Sequence, residues 1–188
     1  MHILSSVLTI PGLGGSGEKH WQTVWENRHN GCTRVRQDNW NIPDFDAWMV
    51  SLHAAIKACK KPPLLVAHSL GCALVVHWAS KHAYTPIQGA LLVAPADVDS
   101  EEHTPPEAHV FAPLPLEPLP FPSTVVCSSN DTYVSPHRAH VFATAWGADY
   151  INIGPHGHIN ADSHLGFWDE GWNLLQNVTA RPHMSSHA

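Results

Sequence analysis

Short runs of apolar residues alternate along the chain with longer segments in which apolar residues recur at helical spacing. The runs PLLVA, GALLVA and STVVCSS lack polar alternation, which is typical of central strands covered on both faces. This alternation predicts an α/β protein with a mostly parallel central sheet. The predicted strands are Ile3–Ile10, Thr33–Gln37, Pro63–Ala67, Gln88–Val93, Thr124–Ser128 and Asp149–Ile153.

The segments between and after these strands predict four helices. Apolar residues at 45, 48, 49, 52, 55, 56 and 59 form one stripe on a helix over Asp44–Lys60, whose start follows Pro43. Ser-Pro at one end and Gly147 at the other are start and stop signals for a helix over Ser135–Trp146. The two remaining helices are predicted over Leu70–His82 and Phe167–Ala180.

The segment Pro95–Pro122 interrupts this pattern. Seven prolines fall between Pro105 and Pro122, so neither a helix nor a central strand is expected there. Strand-like runs lie on both sides, which favours a long surface loop over a linker between domains. Its 28 residues are too few and too interrupted by proline to build a helical lid domain. We therefore expect one compact, lidless domain over residues 1–180, with about six strands and helices on both faces, and a disordered tail over 181–188.

Composition and charge exclude several classes of protein. The formal net charge of −6 argues against nucleic acid or an anionic membrane as the main partner. No apolar run is long enough to span a bilayer. The four cysteines are scattered, as in a protein of a reducing compartment, so a cytoplasmic location is expected. The 16 histidines show neither H-E-x-x-H nor zinc-finger spacing, so no metal site is expected.

The most informative stretch is PPLLVAHSLGCALVVHWA, residues 62–79. A buried strand passes through Ala67-His68-Ser69-Leu70-Gly71 directly into a helix, which is the pattern of the nucleophile elbow G-x-S-x-G with alanine at the first glycine position. The serine of an elbow occupies a sharp turn, so the residues two positions away must be small. The helix start also offers free N–H groups to a developing oxyanion. The alternative is that Ser69 only caps the helix.

A nucleophilic serine needs a base, and the base needs an orienting carboxylate. In α/β-hydrolases the order along the chain is serine, acid, histidine. Asp131 follows the strand STVVCSS in the turn NDTYVSP, and His158 follows the last predicted strand by five residues. Two acids, Asp97 and Asp99, compete with Asp131 but follow an earlier strand, and His156 and His164 compete with His158.

A glycine-rich loop follows the first predicted strand. Gly12, Gly14 and Gly17 spell G-x-G-x-x-G, and Asp38 lies 21 residues further on, as in a dinucleotide-binding motif. Pro11 and the bulky residues after Gly17 fit poorly with a helix packed tightly on its strand. Binding of NAD or FAD is therefore the weaker hypothesis.

In an α/β-hydrolase the same loop supplies one donor of the oxyanion hole, and the residue after the nucleophile supplies the other. The expected donors are the backbone N–H groups of Leu13 and Leu70, with glycines allowing the close approach. A glycine-rich turn without a ligand stays open as an alternative. Gly12, Trp21 and Trp40 follow the first two strands and are candidates for the substrate pocket, although the tryptophans could instead anchor helices to the sheet.

Five stretches in this order resemble the small serine hydrolases of the retinoblastoma-binding protein 9 and YdeN type, within the α/β-hydrolase superfamily. They are PGLGGSGEKHWQTVWE, RVRQDNWNIPDFDAWM, LLVAHSLGCALVVHWA, LPFPSTVVCSSNDTYVSPHRA and GPHGHINADSHLGFW. The resemblance runs nearly end to end. It departs from the family pattern at Ala67, which is small like the glycine it replaces, and at His164, where glycine is expected.

The resemblance implies that Ser69 is the nucleophile, Asp131 the orienting acid and His158 the base. It implies hydrolysis of a small carboxylic ester, or of an amide or peptide bond, without a metal or organic cofactor. A non-catalytic module that presents a hydrolase fold to a partner protein is the alternative, and the sequence names no such partner.

Overall fold

The structure, a computed structural model, describes residues 6–180. The tail expected over 181–188 and the first residues of the first predicted strand lie outside this range. Within it, six parallel strands form one sheet in the order β2-β1-β3-β4-β5-β6. This confirms the predicted α/β fold. The strands are β1 Val7–Ile10, β2 Cys32–Arg34, β3 Leu64–His68, β4 Gly89–Val93, β5 Ser123–Cys127 and β6 Asp149–Asn152.

Five α-helices of the described chain surround this sheet, and predicted cap residues begin two of them and end one. The carboxylate of Asp44 accepts the first-turn N–H of Ala47 at 2.8 Å, and Ser135 accepts that of Arg138 at 3.1 Å. Gly147 ends its helix at φ 64°, the left-handed conformation that glycine adopts without a steric penalty. The helices are α1 Trp21–Arg28, α2 Phe45–Ala58, α3 Leu70–Lys81, α4 Pro136–Trp146 and α5 Asp169–Asn177.

The alternation of side chains along each strand divides the core between the two faces of the sheet. On β3, Leu65 and Ala67 join the cluster formed with α2, α3 and α4. Leu64 and Val66 point the other way and join the cluster formed with α1 and α5. Helices therefore cover both faces, as predicted. The second cluster is rich in tryptophan, with Trp21, Trp25, Trp168 and Trp172.

Helix α1 is the element that the hydrophobic pattern does not predict. Its inward face holds a polar residue, Gln22, which is fully buried between Trp21 and Trp25. The amide of Gln22 donates to the carbonyl of Val66 at 3.0 Å, and its oxygen accepts the hydroxyl of Ser16 at 2.7 Å. Gln22 takes one place on the buried face, so only Trp21, Val24 and Trp25 show helical spacing, which is too short a stripe to predict the helix.

The proline-rich segment differs from the expectation in one respect. A six-residue 3-10 helix, Pro106–Phe111, forms where no helix was expected. Pro106 is its first residue, where no N–H is required, and no proline follows until Pro113. Phe111 is fully buried, so the segment covers the core instead of looping into solvent. No helical domain covers the C-terminal ends of the strands in residues 6–180, as the prediction of a lidless fold requires.

Candidate active site

Ser69 lies at the sharp turn between β3 and α3. Its φ of 54° and ψ of −120° fall outside the regions that a serine normally adopts, which costs about 1–3 kcal/mol. Two backbone hydrogen bonds hold the turn: Ser69 N–H donates to the carbonyl of Val93 at 3.0 Å, and its own carbonyl accepts Cys72 N–H at 3.0 Å. A Cβ at Gly71 would lie 2.2 Å from the carbonyl oxygen of Ile10. The turn therefore requires glycine at this position.

The structure brings Ser69, His158 and Asp131 into one hydrogen-bonded chain, although they are far apart in sequence. Ser69 Oγ lies 2.8 Å from His158 Nε2. His158 Nδ1 lies 2.8 Å from Asp131 Oδ2 and 3.0 Å from Oδ1. The carboxylate has no exposed surface, and the backbone N–H of Tyr133 donates to it at 2.8 Å. An acceptor at Nδ1 places the proton there, which leaves the Nε2 lone pair facing the serine hydroxyl.

The two competing acids are bound elsewhere. Both oxygens of Asp97 bind Arg138, at 2.9 and 3.0 Å. Asp99 accepts the backbone N–H of Leu114 at 3.0 Å. His164 is exposed at φ 52°, a conformation that explains why glycine is expected there. Of the acids and histidines weighed from the sequence, only Asp131 and His158 are hydrogen-bonded in line with Ser69 within the described chain.

The first loop, residues 11–20, lies against the elbow. A Cβ at Gly12 would be 2.9 Å from the backbone nitrogen of Leu70, so only glycine lets the two backbones come this close. Leu70 opens α3, where an N–H has no acceptor inside the helix. Leu13 opens the 3-10 turn Leu13–Gly15, whose last carbonyl accepts Arg34 Nη1 at 2.6 Å. Leu13 and Leu70 line the same cavity.

This cavity, of about 280 Å³, opens beside Ser69. The aromatic ring of Tyr133 lies over the His158 imidazole, with ring centroids 4.3 Å apart, and is 38% exposed. The proline-rich segment forms one wall, a contribution that the sequence did not predict. No Asp, Glu, Lys or Arg side chain is among the residues lining this cavity. Its apolar lining includes Leu13, Leu70, Ala96, Pro105, Ala108 and Ala161.

The three residues predicted for the substrate pocket, Gly12, Trp21 and Trp40, do not line this cavity. Trp21 is buried among aromatic rings, and its indole N–H donates to the carbonyl of Ile159 at 2.8 Å. Trp40 packs edge-on against Trp48 and lies against Gly15, where a Cβ would be 2.8 Å from the indole ring. Both tryptophans therefore support the loops around the site, because their rings pack against other residues and do not line the cavity.

Two histidines that line the cavity, His20 and His68, were not singled out from the sequence. Burial, with smaller effects of Arg34 and His158, lowers the pKa of His20 to about 3. Burial also holds the pKa of His68 well below its ordinary value. Both rings are therefore neutral at physiological pH. In a sequence with 16 histidines, no spacing distinguishes these two, although His68 directly precedes Ser69.

Two kinds of site are absent from residues 6–180. No group of three or more His, Cys, Asp or Glu side chains in this range could hold a metal ion. None of the helices described is both long enough and apolar enough to cross a membrane.

Comparison with known proteins agrees with this fold. A YdeN-like hydrolase from Pectobacterium atrosepticum is 30% identical, with 94% of this chain and 91% of that chain covered at a TM-score of 0.83. The ydeN gene product of Bacillus subtilis is 17% identical, with 93% and 98% covered at a TM-score of 0.73. A monoacylglycerol lipase from Paleococcus ferrophilus is 12% identical, with 93% of each chain covered at a TM-score of 0.68. The last two likenesses show the fold alone.

No curated protein is a significant match by sequence. The sequence model of the family described as serine hydrolase, however, matches residues 7–177, which includes every strand and α-helix of the structure. The resemblance noted in the sequence is thereby confirmed: the chain belongs to the serine hydrolase family of the α/β-hydrolase superfamily, with YdeN-like hydrolases among its structural neighbours.

Proposed function

We propose that this serine hydrolase cleaves small, uncharged carboxylic esters through an acyl-enzyme on Ser69, with His158 as general base and Asp131 as the orienting acid. The observation that carries the proposal is the pair of 2.8 Å contacts that joins Ser69 Oγ to His158 Nε2 and His158 Nδ1 to Asp131 Oδ2. These are the lengths that proton transfer between a nucleophile and its base requires.

The reaction proceeds in two halves. Ser69 Oγ attacks the carbonyl carbon as its proton passes to His158 Nε2, and the carbonyl π-electrons move onto the oxygen. As the intermediate collapses, the bond to the leaving alcohol breaks and His158 returns the proton to that alcohol. Water then attacks the acyl-enzyme, giving its proton to the same nitrogen, and Ser69 is regenerated with release of the acid. Asp131 stabilises the imidazolium that forms in each half.

The oxyanion in both halves binds to the backbone N–H groups of Leu13 and Leu70. Three observations support this assignment. Both residues line the cavity beside Ser69, Leu70 is the first residue of α3, and Gly12 lets the first loop approach the elbow closely. Two such donors aimed at a developing negative charge contribute more than any other single effect in this type of catalysis.

The size and lining of the cavity support a small, neutral acyl group. About 280 Å³ lies just below the usual range for small-molecule pockets, and no Asp, Glu, Lys or Arg side chain lines the cavity. A carboxylate on the acyl group would lose its hydration there without gaining a partner. Among esters of one leaving group, we expect kcat/KM to be highest for short uncharged acyl chains, and lower for succinyl monoesters and long chains. We expect amides and peptides of the same acyl groups to be hydrolysed more slowly than the esters.

The test is labelling and turnover of the purified full chain. A fluorophosphonate probe should label the native protein, and Ser69→Ala should abolish labelling and lower kcat on short esters by about 10⁴–10⁶. Ser80→Ala is the matched control, since Ser80 is an exposed serine near the other end of α3. Full esterase activity in Ser69→Ala, or a folded wild-type protein that neither labels nor hydrolyses any ester, would refute the proposal.

A further inference from the structure

One buried histidine connects the turn that carries the serine to the loop that carries the base. His68 is the last residue of β3 and directly precedes Ser69. Its side chain reaches across the site, where Nε2 lies 2.8 Å from the backbone carbonyl oxygen of His158. A carbonyl can only accept, so His68 Nε2 carries the proton and donates it. His68 is only 5% exposed, so water competes little for this bond.

Neighbouring rings hold the imidazole of His68 in this orientation. The ring of His20 packs edge-on against it, with centroids 4.7 Å apart and an interplanar angle of 69°. The indole of Trp21 also meets it edge-on. His20 is itself fixed, because its Nδ1 accepts the N–H of Gln22 at 3.2 Å at the start of α1. The donor therefore points at one acceptor and has little freedom to turn elsewhere.

The loop around His158 has no strand or helix to hold the backbone at that residue. Gly154, Gly157 and Ile159 all adopt positive φ, at 85°, 59° and 48°. Side chains tie the neighbours of His158: Trp21 binds the carbonyl of Ile159, and Asn130 binds the N–H of Gly157. At His158 itself, the tether to the backbone carbonyl comes from His68.

We propose that His68 is a positioning residue, which holds the backbone of His158 so that the base stays within hydrogen-bonding reach of Ser69. An effect of His68 on the reaction rate rests on the function proposed above. The hydrogen bond from His68 to the loop can be tested without any substrate. Because a misplacement of about 1 Å in a reacting group can cost about 10² in rate, one hydrogen bond at this point has a large effect on kcat.

Three substitutions test the tether. His68→Leu keeps an apolar side chain and removes the donor. His68→Gln retains an N–H near the position of Nε2, whereas His68→Asn has the same amide on a side chain that is one carbon too short. The matched control is His77→Leu: His77 lies on α3, and its Nε2 also donates to a backbone carbonyl, that of Phe111 at 2.6 Å.

We expect His68→Leu to lower kcat by about 10–10² with KM within about twofold, and His68→Gln to recover kcat to within about fivefold of the wild type. His77→Leu should lower the melting temperature and leave kcat within about twofold. If His68→Leu does not fold, the same comparison between His68→Gln and His68→Asn decides the question, with Gln active and Asn impaired. Equal kcat for the variants with and without the donor, at equal melting temperature, would overturn the proposal.

Hydrogen–deuterium exchange of residues 153–160 gives a readout that does not need activity. The loop should exchange about tenfold or more faster in His68→Leu than in the wild type, and at nearly the wild-type rate in His68→Gln. Unchanged exchange in folded His68→Leu would show that no tether exists, whatever the protein hydrolyses. If the wild type fails to react with a fluorophosphonate, the proposed function fails, and the exchange experiment still decides the role of His68.

Discussion

Replacing Gly12 by alanine would place one methyl group between the two backbone segments proposed to bind the oxyanion. The added Cβ would lie 2.9 Å from the nitrogen of Leu70, and 3.1 Å from both the carbonyl oxygen of His68 and the Cβ of Ser69. All three atoms belong to the residues of the elbow. Gly12 has a φ of −93°, so the perturbation comes from lack of space and not from a left-handed backbone.

The size of the effect follows from what has to move. The elbow is fixed by β3 and α3, so the first loop is displaced and takes the N–H of Leu13 away from the oxyanion. Loss of one oxyanion donor costs about 10²–10³ in kcat, which corresponds to about 3–4 kcal/mol of transition-state stabilisation. Substrate binding in the cavity changes little, so KM should stay within about threefold.

The assay is steady-state hydrolysis of a short-chain p-nitrophenyl ester by Gly12→Ala, with the rate of fluorophosphonate labelling measured in parallel. Gly31→Ala is the matched control, because Gly31 does not have a positive φ and a Cβ there would meet no atom within 4 Å. It should keep the wild-type kcat. Thermal unfolding of both variants separates lost catalysis from lost folding.

Wild-type kcat in a folded Gly12→Ala variant would refute the assignment of the first loop to the oxyanion hole. A rise in KM without a fall in kcat would have the same consequence, since it would mean that the loop contacts substrate equally in the ground state and the transition state. In either case the second donor would have to be sought in another part of the chain.

Three further outcomes are expected. Gly71→Ala should fail to fold or melt far below the wild type in a thermal scan, because its Cβ would lie 2.2 Å from the backbone oxygen of Ile10; a normal melting temperature would contradict this. Asp97→Asn weakens the two-point contact with the partly exposed Arg138, so it should lower the free energy of unfolding in urea by about 1–3 kcal/mol and retain kcat. Loss of activity with normal stability would make Asp97 the orienting acid instead. The pKa of His20 is lowered to about 3 in the folded state, so between about pH 6.5 and 3 its imidazole takes up a proton in the unfolded chain but not in the folded one. The free energy of unfolding should therefore fall as pH drops through this range, by up to about 1.4 kcal/mol per pH unit. His20→Gln should reduce this slope in urea unfolding, and an unchanged slope would contradict the assignment.

Much of the fold and the main candidates of the site could be predicted from local pattern. The runs of buried strand residues, the caps at Asp44 and Ser135 and the small residues around Ser69 are short-range signals, each with a local physical cause. The order of serine, acid and histidine adds a constraint along the chain, which led to Asp131 and His158. Each of these signals depends on only a few residues that are neighbours in the sequence.

Other features depend on packing between segments that are distant in the sequence, so no local pattern predicts them. Helix α1 has only a short apolar stripe, because the buried Gln22 is hydrogen-bonded to Val66 and Ser16, which only the fold brings near. The tryptophans expected at the pocket do not line the cavity, and the proline-rich segment supplies one of its walls. The sequence by itself thus determined the strands, the elbow and the candidates for its partners. Tertiary structure alone decided which histidine meets Ser69, which carboxylate meets that histidine and which surfaces enclose the cavity. The reason is that these depend on how separate strands and loops converge at one end of the sheet.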